Sequence, residues 1–443
     1  MSSLRFDVRM VQPAEAAGRI AIDASRLLDG GDRIAAGRGY RQAAAMPVAH
    51  RSSLVNLAAV AIGLGEAQAA RTHAMRALQS DGADADAWVN LGVASWHAGL
   101  HREAAQATDR ALRLVPGMEA AASNLSLMFQ AVGQPERARA TLADALQGNP
   151  RSVRLQQSMA EVCRLLGDRQ AARRHALAAL TLLQGSLAPQ PSPGEVVDAR
   201  DVEAGRDSLH AALSDSCGRL RQAGIDHLLI GGLVLGIARE GEPFAGDKDI
   251  DFQLDAGVDR AAVAAAFAEG FAPIRVPAAH AEATRRWCMG YVHEATGIGI
   301  DLFFAQRGVA TMRQSLGWPD DLFYEYPRFT AGMLAWRGRA WPVPAPLGDY
   351  LASNYGDDWH SPRRVIEGGR SFDKRWFDTQ ISCPGLMPSS QSAAVTLGLL
   401  RLLQALQAAQ WAKARALCLQ LLAREPLAEV DAVLDRLESA GVA

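Results

Sequence analysis

Residue types recur at every thirty-fourth position across residues 1–185, and this repeat restricts their fold more than any other feature of the chain. Around Trp88 the sequence reads W-V-N-L-G-V-A-S-W-H-A-G-L-H-R-E-A-A, with Ala104, Ala111 and Pro116 following. One period on stand Leu125, Gly133, Ala138, Ala145 and Pro150, and one further stand Met159, Gly167, Ala172 and Ala179. Counting backwards gives Leu57, Gly65, Ala70 and Ala77, then more faintly Gly31, Ala36 and Ala43. A fixed period of this length means one helical unit copied along the chain, each copy burying its apolar face on the next. Small Ala and Gly residues let the two helices of a hairpin approach closely, while Leu and Trp fill the space between hairpins.

The unit from Ala85 to Gly117 carries the W-x-x-L-G, A and P pattern and resembles the tetratricopeptide repeat family. Residues 1–185 are therefore expected to form an α-solenoid of four repeats and a degenerate fifth at the start. The resemblance implies a surface for a protein partner on the repeats.

Composition narrows the remaining possibilities. With 46 basic and 48 acidic side chains there is no excess positive charge to hold a nucleic-acid backbone, so nucleic acid is not expected as a partner. No apolar run approaches the roughly 20 residues of a membrane span. The five cysteines, Cys163, Cys217, Cys288, Cys383 and Cys418, contain no C-x-x-C pair, and their odd number argues against a disulfide framework. Residues 1–10 lack an apolar stretch of the secretory kind, and a cytoplasmic location is the expectation.

The stretch G-S-L-A-P-Q-P-S-P-G, from Gly185 to Gly194, marks a linker over residues 186–203, followed by a second domain over 204–385 and a helical hairpin over 386–443. In the second domain a helix is expected over Ala204 to Ala223 and a short strand over His227 to Ile230, ending on Gly231 and Gly232. A helix Leu233 to Arg239, a strand Asp249 to Leu254, a helix Asp259 to Glu269, and strands Phe271 to Val276, Trp287 to His293 and Ile298 to Phe304 follow. Strands interleaved with helices predict a mixed sheet.

Carboxylates carry the chemistry. Asp249 and Asp251, in D-I-D-F, are two apart on a strand, so both point to one face while Ile250 and Phe252 point to the core. Asp301 opens a second strand-like run, I-D-L-F-F, again an acid among apolar residues. Three such acids meeting at a sheet edge would bind Mg²⁺ or Mn²⁺; a strand-edge salt-bridge pair is the structural alternative for Asp249 and Asp251. Gly231 and Gly232, between a strand and a helix, would turn backbone N–H groups toward a phosphate. Arg239 would contact phosphate, and Lys248 is either a phosphate ligand or part of a solvated turn.

The stretch I-G-G-L-V-L-G-I-A-R-E-G-(x)5-D-K-D-I-D resembles the LicD/fukutin branch of the nucleotidyltransferase-fold superfamily, with Gly232, Gly236, Arg239, Asp247, Asp249 and Asp251 standing on its pattern. A second segment, L-x-x-Y-L-x-x-x-Y-G-D-D-W-x-x-P from Leu347 to Pro362, is similar to one that often closes such domains. Lys248 interrupts the family's run of acids, and Gly246 stands where an aromatic is usual. The expected fold is thus a tetratricopeptide solenoid, a mixed-sheet nucleotidyltransferase-fold domain and a C-terminal helical hairpin.

The resemblance implies a metal-dependent transferase moving a phospho-alcohol group, phosphocholine or a polyol phosphate, from a CDP-linked donor to a hydroxyl of a glycan or glycoconjugate. It gives Asp249, Asp251 and Asp301 to the metal, with Asp301 alternatively taking the acceptor proton. A nucleotidyltransferase acting on a small molecule or protein, and a repeat scaffold with an inactive transferase domain, are the competing expectations. The aromatic residues from Trp318 to Trp341 are read either as an acceptor pocket or as loop anchors between Pro319, Pro327 and Pro342. Tyr355, Gly356 and Trp359 are read as a turn with aromatic anchors.

Overall fold

The computed structural model describes residues 6–48, 50–189, 199–245, 247–274, 276, 281–315, 321–361, 364–367, 370–373 and 379–442. Gly246, Trp318, Pro319, Pro362 and half of the expected linker, residues 190–198, lie outside them. The chain divides into two compact units, residues 1–166 and 167–443.

The first unit holds nine helices among the described residues: α1 (Ala16–Asp29), α2 (Arg33–Ala44), α3 (Arg51–Leu64), α4 (Ala67–Ser80), α5 (Ala85–His97), α6 (His101–Leu114), α7 (Glu119–Ala131), α8 (Pro135–Gly148) and α9 (Val153–Leu165). They pair as antiparallel hairpins α1–α2, α3–α4, α5–α6 and α7–α8, and the first helices of successive hairpins also touch one another. This is a tetratricopeptide-like helical repeat array. Its punctuation follows the sequence period, for Gly31, Gly65, Gly99 and Gly133 all take positive φ at the turn inside a hairpin, where a side chain would be strained. Asp32, Asp84 and Ser152 cap α2, α5 and α9 through side-chain oxygens.

The alanines of the period are interior. Ala70, Ala77, Ala104, Ala111, Ala138 and Ala145 are all buried, as are Leu57, Leu91 and Leu125 one helix earlier. Gly92 shows how tight the helix contact is: a Cβ there would lie 2.2 Å from Thr108 Oγ1 and 3.1 Å from the Ala104 carbonyl oxygen. Thr108 is itself fully buried and donates to Ala104 O at 2.9 Å, so it has little room to yield.

The second unit begins with α10 (Arg169–Gln184), which carries Ala172 and Ala179 of the last repeat. After it come α11 (Ala199–Gln222), β1 (His227–Ile230), α12 (Gly231–Glu240), β2 (Asp249–Asp255), α13 (Arg260–Ala266), β3 (Phe271–Pro273), α14 (Ala281–Trp287), β4 (Cys288–His293) and β5 (Gly299–Arg307). Then follow β6 (Thr311–Ser315), β7 (Phe323–Pro327), β8 (Thr330–Trp336), β9 (Arg339–Ala345), α15 (Leu347–Tyr355), β10 (Arg364–Glu367), β11 (Arg370–Asp373), α16 (Thr379–Ser382), α17 (Gln391–Gln407), α18 (Trp411–Leu422) and α19 (Ala428–Ser439).

The sheet is mixed, with strands in the order β1-β2-β5-β4-β3. Among the described strands only β2 and β5 run parallel; β1–β2, β5–β4 and β4–β3 are antiparallel, and β6 and β7 extend from the end of β5. The expected alternation holds on β2: Ile250, Phe252 and Leu254 are buried, with Ile300, Leu302 and Phe304 beside them on β5 and Leu209, Leu213 and Leu220 of α11 in the same cluster.

Two parts differ from the sequence reading. Within the aromatic stretch before Trp341 the described residues are largely strand: β7 pairs with β6 and β8 with β9, and Trp336 and Trp341 are buried in the main core, both edge-on to His210 of α11. Proline punctuation misled because Pro327 ends β7, while Pro342 and Pro344 sit on a two-stranded ribbon where one edge needs no donor. The C-terminal segment, for its part, holds three helices, α17 to α19, rather than a hairpin, and it docks on α10. α17 and α19 pack against that helix, Arg173 forms an ion pair with Glu425 (Nη1 to Oε2, 2.9 Å), and Gln184 Nε2 donates to the Glu429 carbonyl at 2.6 Å. α10 thus serves as a platform for α17 to α19, which packing rather than period decides.

Gly92→Ala is expected to destabilise the repeat array by roughly 1–3 kcal/mol, the usual scale of overpacking a tight interior. Gly205→Ala, where the added Cβ meets nothing within 4 Å, should not. Urea melts of the two variants check this, and equal midpoints would show that α5 and α6 can separate freely.

Candidate metal centre

Strand pairing brings the sequence-predicted acids together. In the parallel β2–β5 pair Asp251 lies directly opposite Asp301, and Asp249 opposite Gly299. One carboxylate oxygen each from Asp249, Asp251 and Asp301 falls within 4.8 Å of the others. Asp251 and Asp301 are far apart along the chain, so only the shared register of their two strands makes the cluster.

Glycines on both sides make room for it. A Cβ on Gly231 would stand 2.1 Å from Asp251 Oδ2, and Gly231 has φ of 77°. Gly290, the β4 partner of Asp301, would place a Cβ 3.0 Å from Asp301 Oδ1. The Gly231 amide donates to Tyr350 Oη at 3.1 Å, so this amide is already engaged. The two glycines differ from each other: the Gly231 amide serves Tyr350 beside Asp251, while Gly232 lies in the first turn of α12, where no side-chain cap bonds the leading amides.

Asp247 belongs to the same group, although the sequence placed it on a motif rather than in the site. It is buried, and among the described residues neither of its carboxylate oxygens has a well-aligned hydrogen-bond partner, although the Lys248 amide and Asp249 stand near enough to act on it. Burial holds its carboxyl well above the ordinary range, and the neighbouring Asp249 adds to the effect. Asp251 is likewise held well above that range, first by burial and then by the charges of Asp249, Asp301 and Asp247. Asp301 is pushed up to about 6, by burial first and Asp249 second. Asp249 keeps an exposed side, yet the wall behind it removes enough water to raise its carboxyl too.

The wall itself responds to these charges. The thiol of Cys288 and the phenols of Tyr350 and Tyr355 are all raised, chiefly by burial, with Asp251 contributing to each. Tyr355 and Trp359 anchor the turn after α15, and Gly356 there has φ of 93°, which fits the structural reading of that segment.

The two expected cations stand apart in character. Arg239 is only 5% exposed, lies over the Phe244 ring at 4.8 Å and pairs with Glu240 at 3.3 Å, so its described contacts are structural. Lys248 has an exposed side chain, and its carbonyl accepts from the Gly299 amide at 3.0 Å, helping to fix the start of the β2–β5 pair.

An all-carboxylate set that is clustered and partly desolvated suits a hard divalent cation taking oxygen ligands. Removing water from like charges is costly, and a cation offsets that cost. The residues present therefore fit Mg²⁺ or Mn²⁺.

No family model matches the chain, and no curated protein matches it. Among solved structures it is similar to a thermophilic tetratricopeptide repeat protein of Thermus thermophilus, with 18% identity over 38% of this chain and 91% of that one and a TM-score of 0.33. It is also similar to MamA, residues 41 to the end, from Desulfovibrio magneticus RS-1 (18% identity, 38% and 96% covered, TM-score 0.31). A third is the pilF protein of Pseudomonas aeruginosa (20% identity, 39% and 84% covered, TM-score 0.31). The repeat assignment rests on the chain's own sequence period and its helical hairpins. Among the described residues no helix is long and apolar enough to cross a membrane.

Two outcomes follow from the geometry. Because the folded state raises the Asp301 pKa to about 6, it holds that proton more tightly than the unfolded chain does. Without divalent cation, the stabilisation that Asp301 contributes should be complete below about pH 4 and be lost as pH rises through about 6. Mg²⁺ or Mn²⁺ should oppose that loss, and Asp301→Asn should remove the part due to Asp301 while Asp247, Asp249 and Asp251 keep theirs; thermal melts across this range check both. Gly231→Ala should abolish metal-dependent stabilisation, since its Cβ would collide with Asp251, and a metal-induced shift in Tm retained by that variant would refute the cradle.

Proposed function

We propose that the second unit is a metal-dependent phosphotransferase of the nucleotidyltransferase fold, LicD-like in kind, moving a phospho-alcohol group from a CDP-linked donor to a hydroxyl of a glycan or glycoconjugate. The observation that carries this reading is the convergence of Asp249, Asp251 and Asp301 within 4.8 Å beside the buried Asp247. The order of strand, Gly-Gly, helix, D-I-D strand and a third acid on the neighbouring strand supports the fold assignment. The substrate class comes from the family resemblance.

Asp249, Asp251 and Asp301 would hold Mg²⁺ or Mn²⁺. When bound, the ion neutralises charge on the donor's diphosphate and on the departing CMP. The acceptor oxygen attacks the phosphorus that bears the alcohol. As the new P–O bond forms, the bond to the bridging oxygen breaks and its electron pair leaves with CMP. A carboxylate has two oxygens, so Asp301 can face the cation and also take the acceptor's proton. Tyr350 and Tyr355 help exclude water from the inner side of the acids.

Incubation with a panel of CDP-alcohols and nucleoside triphosphates plus Mg²⁺ tests the reading. Release of CMP from a CDP-alcohol is expected; release of pyrophosphate from a triphosphate would make the protein a nucleotidyltransferase instead. Asp249→Asn and Asp251→Asn should each lower turnover by on the order of a hundredfold or more, the scale of losing one preorganised charge. Neither should lower Tm, because each relieves acid–acid repulsion. A large fall in Tm would mark the pair as structural, and melting curves indifferent to metal, donor and both together would leave only the binding scaffold.

A further inference from the structure

Two arginines of the second unit line one cleft and pair with no acid. Between α11 and β9 lies a cavity of about 370 Å³ whose lining includes Ser214, Cys217, Gly218 and Arg221 from the helix and Arg339 and Trp341 from the strand. The four helical residues stand at i, i+3, i+4 and i+7, which puts them on one face. Cys217 and Trp341 are each 2% exposed and form the floor, while Arg221 and Arg339 are exposed at the rim.

The nearest arginines on the same elements are engaged. Arg219, two residues before Arg221, meets Asp215 at 3.2 Å, and Arg337, two residues before Arg339, pairs with both Glu203 and Asp207. Arg221 and Arg339 have no ion-pair partner among the described residues. Like charges that share a small volume repel, and a bound anion would remove that repulsion.

Room for the anion is present in the helix itself. Gly218 lies inside α11, where glycine weakens a helix relative to alanine, yet no neighbour demands it: a Cβ there would meet nothing within 4 Å. The space a side chain would occupy is left to the cleft. Ser214 Oγ is shielded from water and has no hydrogen-bond partner in the protein, and a change of rotamer would bring that hydroxyl to a ligand oxygen.

A guanidinium presents a planar fork of N–H donors, and two of them around one small volume match the several oxygens and double charge of a phosphate better than those of a single carboxylate. The volume is that of a small-molecule pocket, too small for a folded partner. We propose that this cleft binds the phosphate monoester of a small molecule, its phosphate held between Arg221 and Arg339 and its organic part lying over Gly218. The cleft shares no residue with the acid cluster on β2 and β5, so its ligand is independent of the chemistry proposed there.

The test uses the full chain in EDTA, so that no metal holds phosphate at the acids, with glycerol 3-phosphate, inorganic phosphate and malonate as probes in low-salt titration calorimetry. Glycerol 3-phosphate should bind saturably at one site, and inorganic phosphate should compete for it. Arg221→Ala and Arg339→Ala should each weaken glycerol 3-phosphate at least tenfold, whereas Arg151→Ala, an equal loss of charge from an exposed position on the first unit, should not. Gly218→Leu should abolish binding by filling the cleft without changing charge, and Tm should hold or rise because leucine favours a helix more than glycine does. The proposal fails if glycerol 3-phosphate shows no saturable binding, if Gly218→Leu retains full affinity, or if the two arginine variants weaken it no more than Arg151→Ala does. Malonate binding more tightly than either phosphate would make this a dicarboxylate site and overturn the phosphate assignment.

Discussion

The parallel pairing of β2 with β5 is the constraint on which the second unit turns. It sets Asp251 directly opposite Asp301, with Asp249 one alternation away on the same face. Carboxylates so placed repel one another once ionised, and burial raises the cost of that charge. The surroundings accept this arrangement at specific points: glycine at 231 and 290, where any side chain would collide, and a hydrophobic sheet face behind, where Ile250, Phe252, Ile300 and Leu302 lock the register. A slip of one residue would bury the acids and expose those four side chains, so the apolar face enforces the charged one.

The first unit rests on a different constraint, close approach of helices through small residues. Gly92 against Thr108, and the run of buried alanines, bring each hairpin together so that the next first helix falls at a regular step. That regularity matches the step of an extended chain, which is why three asparagines of one period can hold residues 7, 9 and 11. A buried amide is costly without partners, and these three have theirs. The filled ladder of Asn56, Asn90 and Asn124 therefore stabilises the array.

Helix α10 shows how a repeat element takes on a second role. Its sequence belongs to the repeat pattern, yet its apolar and charged surface receives α17 and α19 through Arg173, Gln184 and the helix contacts around them. Ala414, buried on α18, and the apolar run of α17 follow the same small-residue logic as the earlier hairpins. Trp336 and Trp341, which the chain's prolines made look like loop anchors, serve instead to close the main core against α11.

The sequence by itself determined the repeat, the alternation of acid and apolar residues on β2, and the types of ligand group available. Each of these is a local periodicity, that of the helical hairpin or that of the strand, which backbone geometry imposes on side-chain direction. The asparagine ladder was equally legible as a polar residue recurring before Leu57, Leu91 and Leu125, although its occupant was not, since nothing local links Asp7 to Asn124 across so long a stretch of chain. Tertiary structure alone decided which strands became neighbours. It placed Asp301 beside Asp251, buried Asp247 against Asp249, turned Arg239 onto Phe244 and gave the Gly231 amide to Tyr350. Those outcomes depend on contacts between residues far apart in the chain, whose distances are set by the packing of whole elements and by no spacing within any one of them.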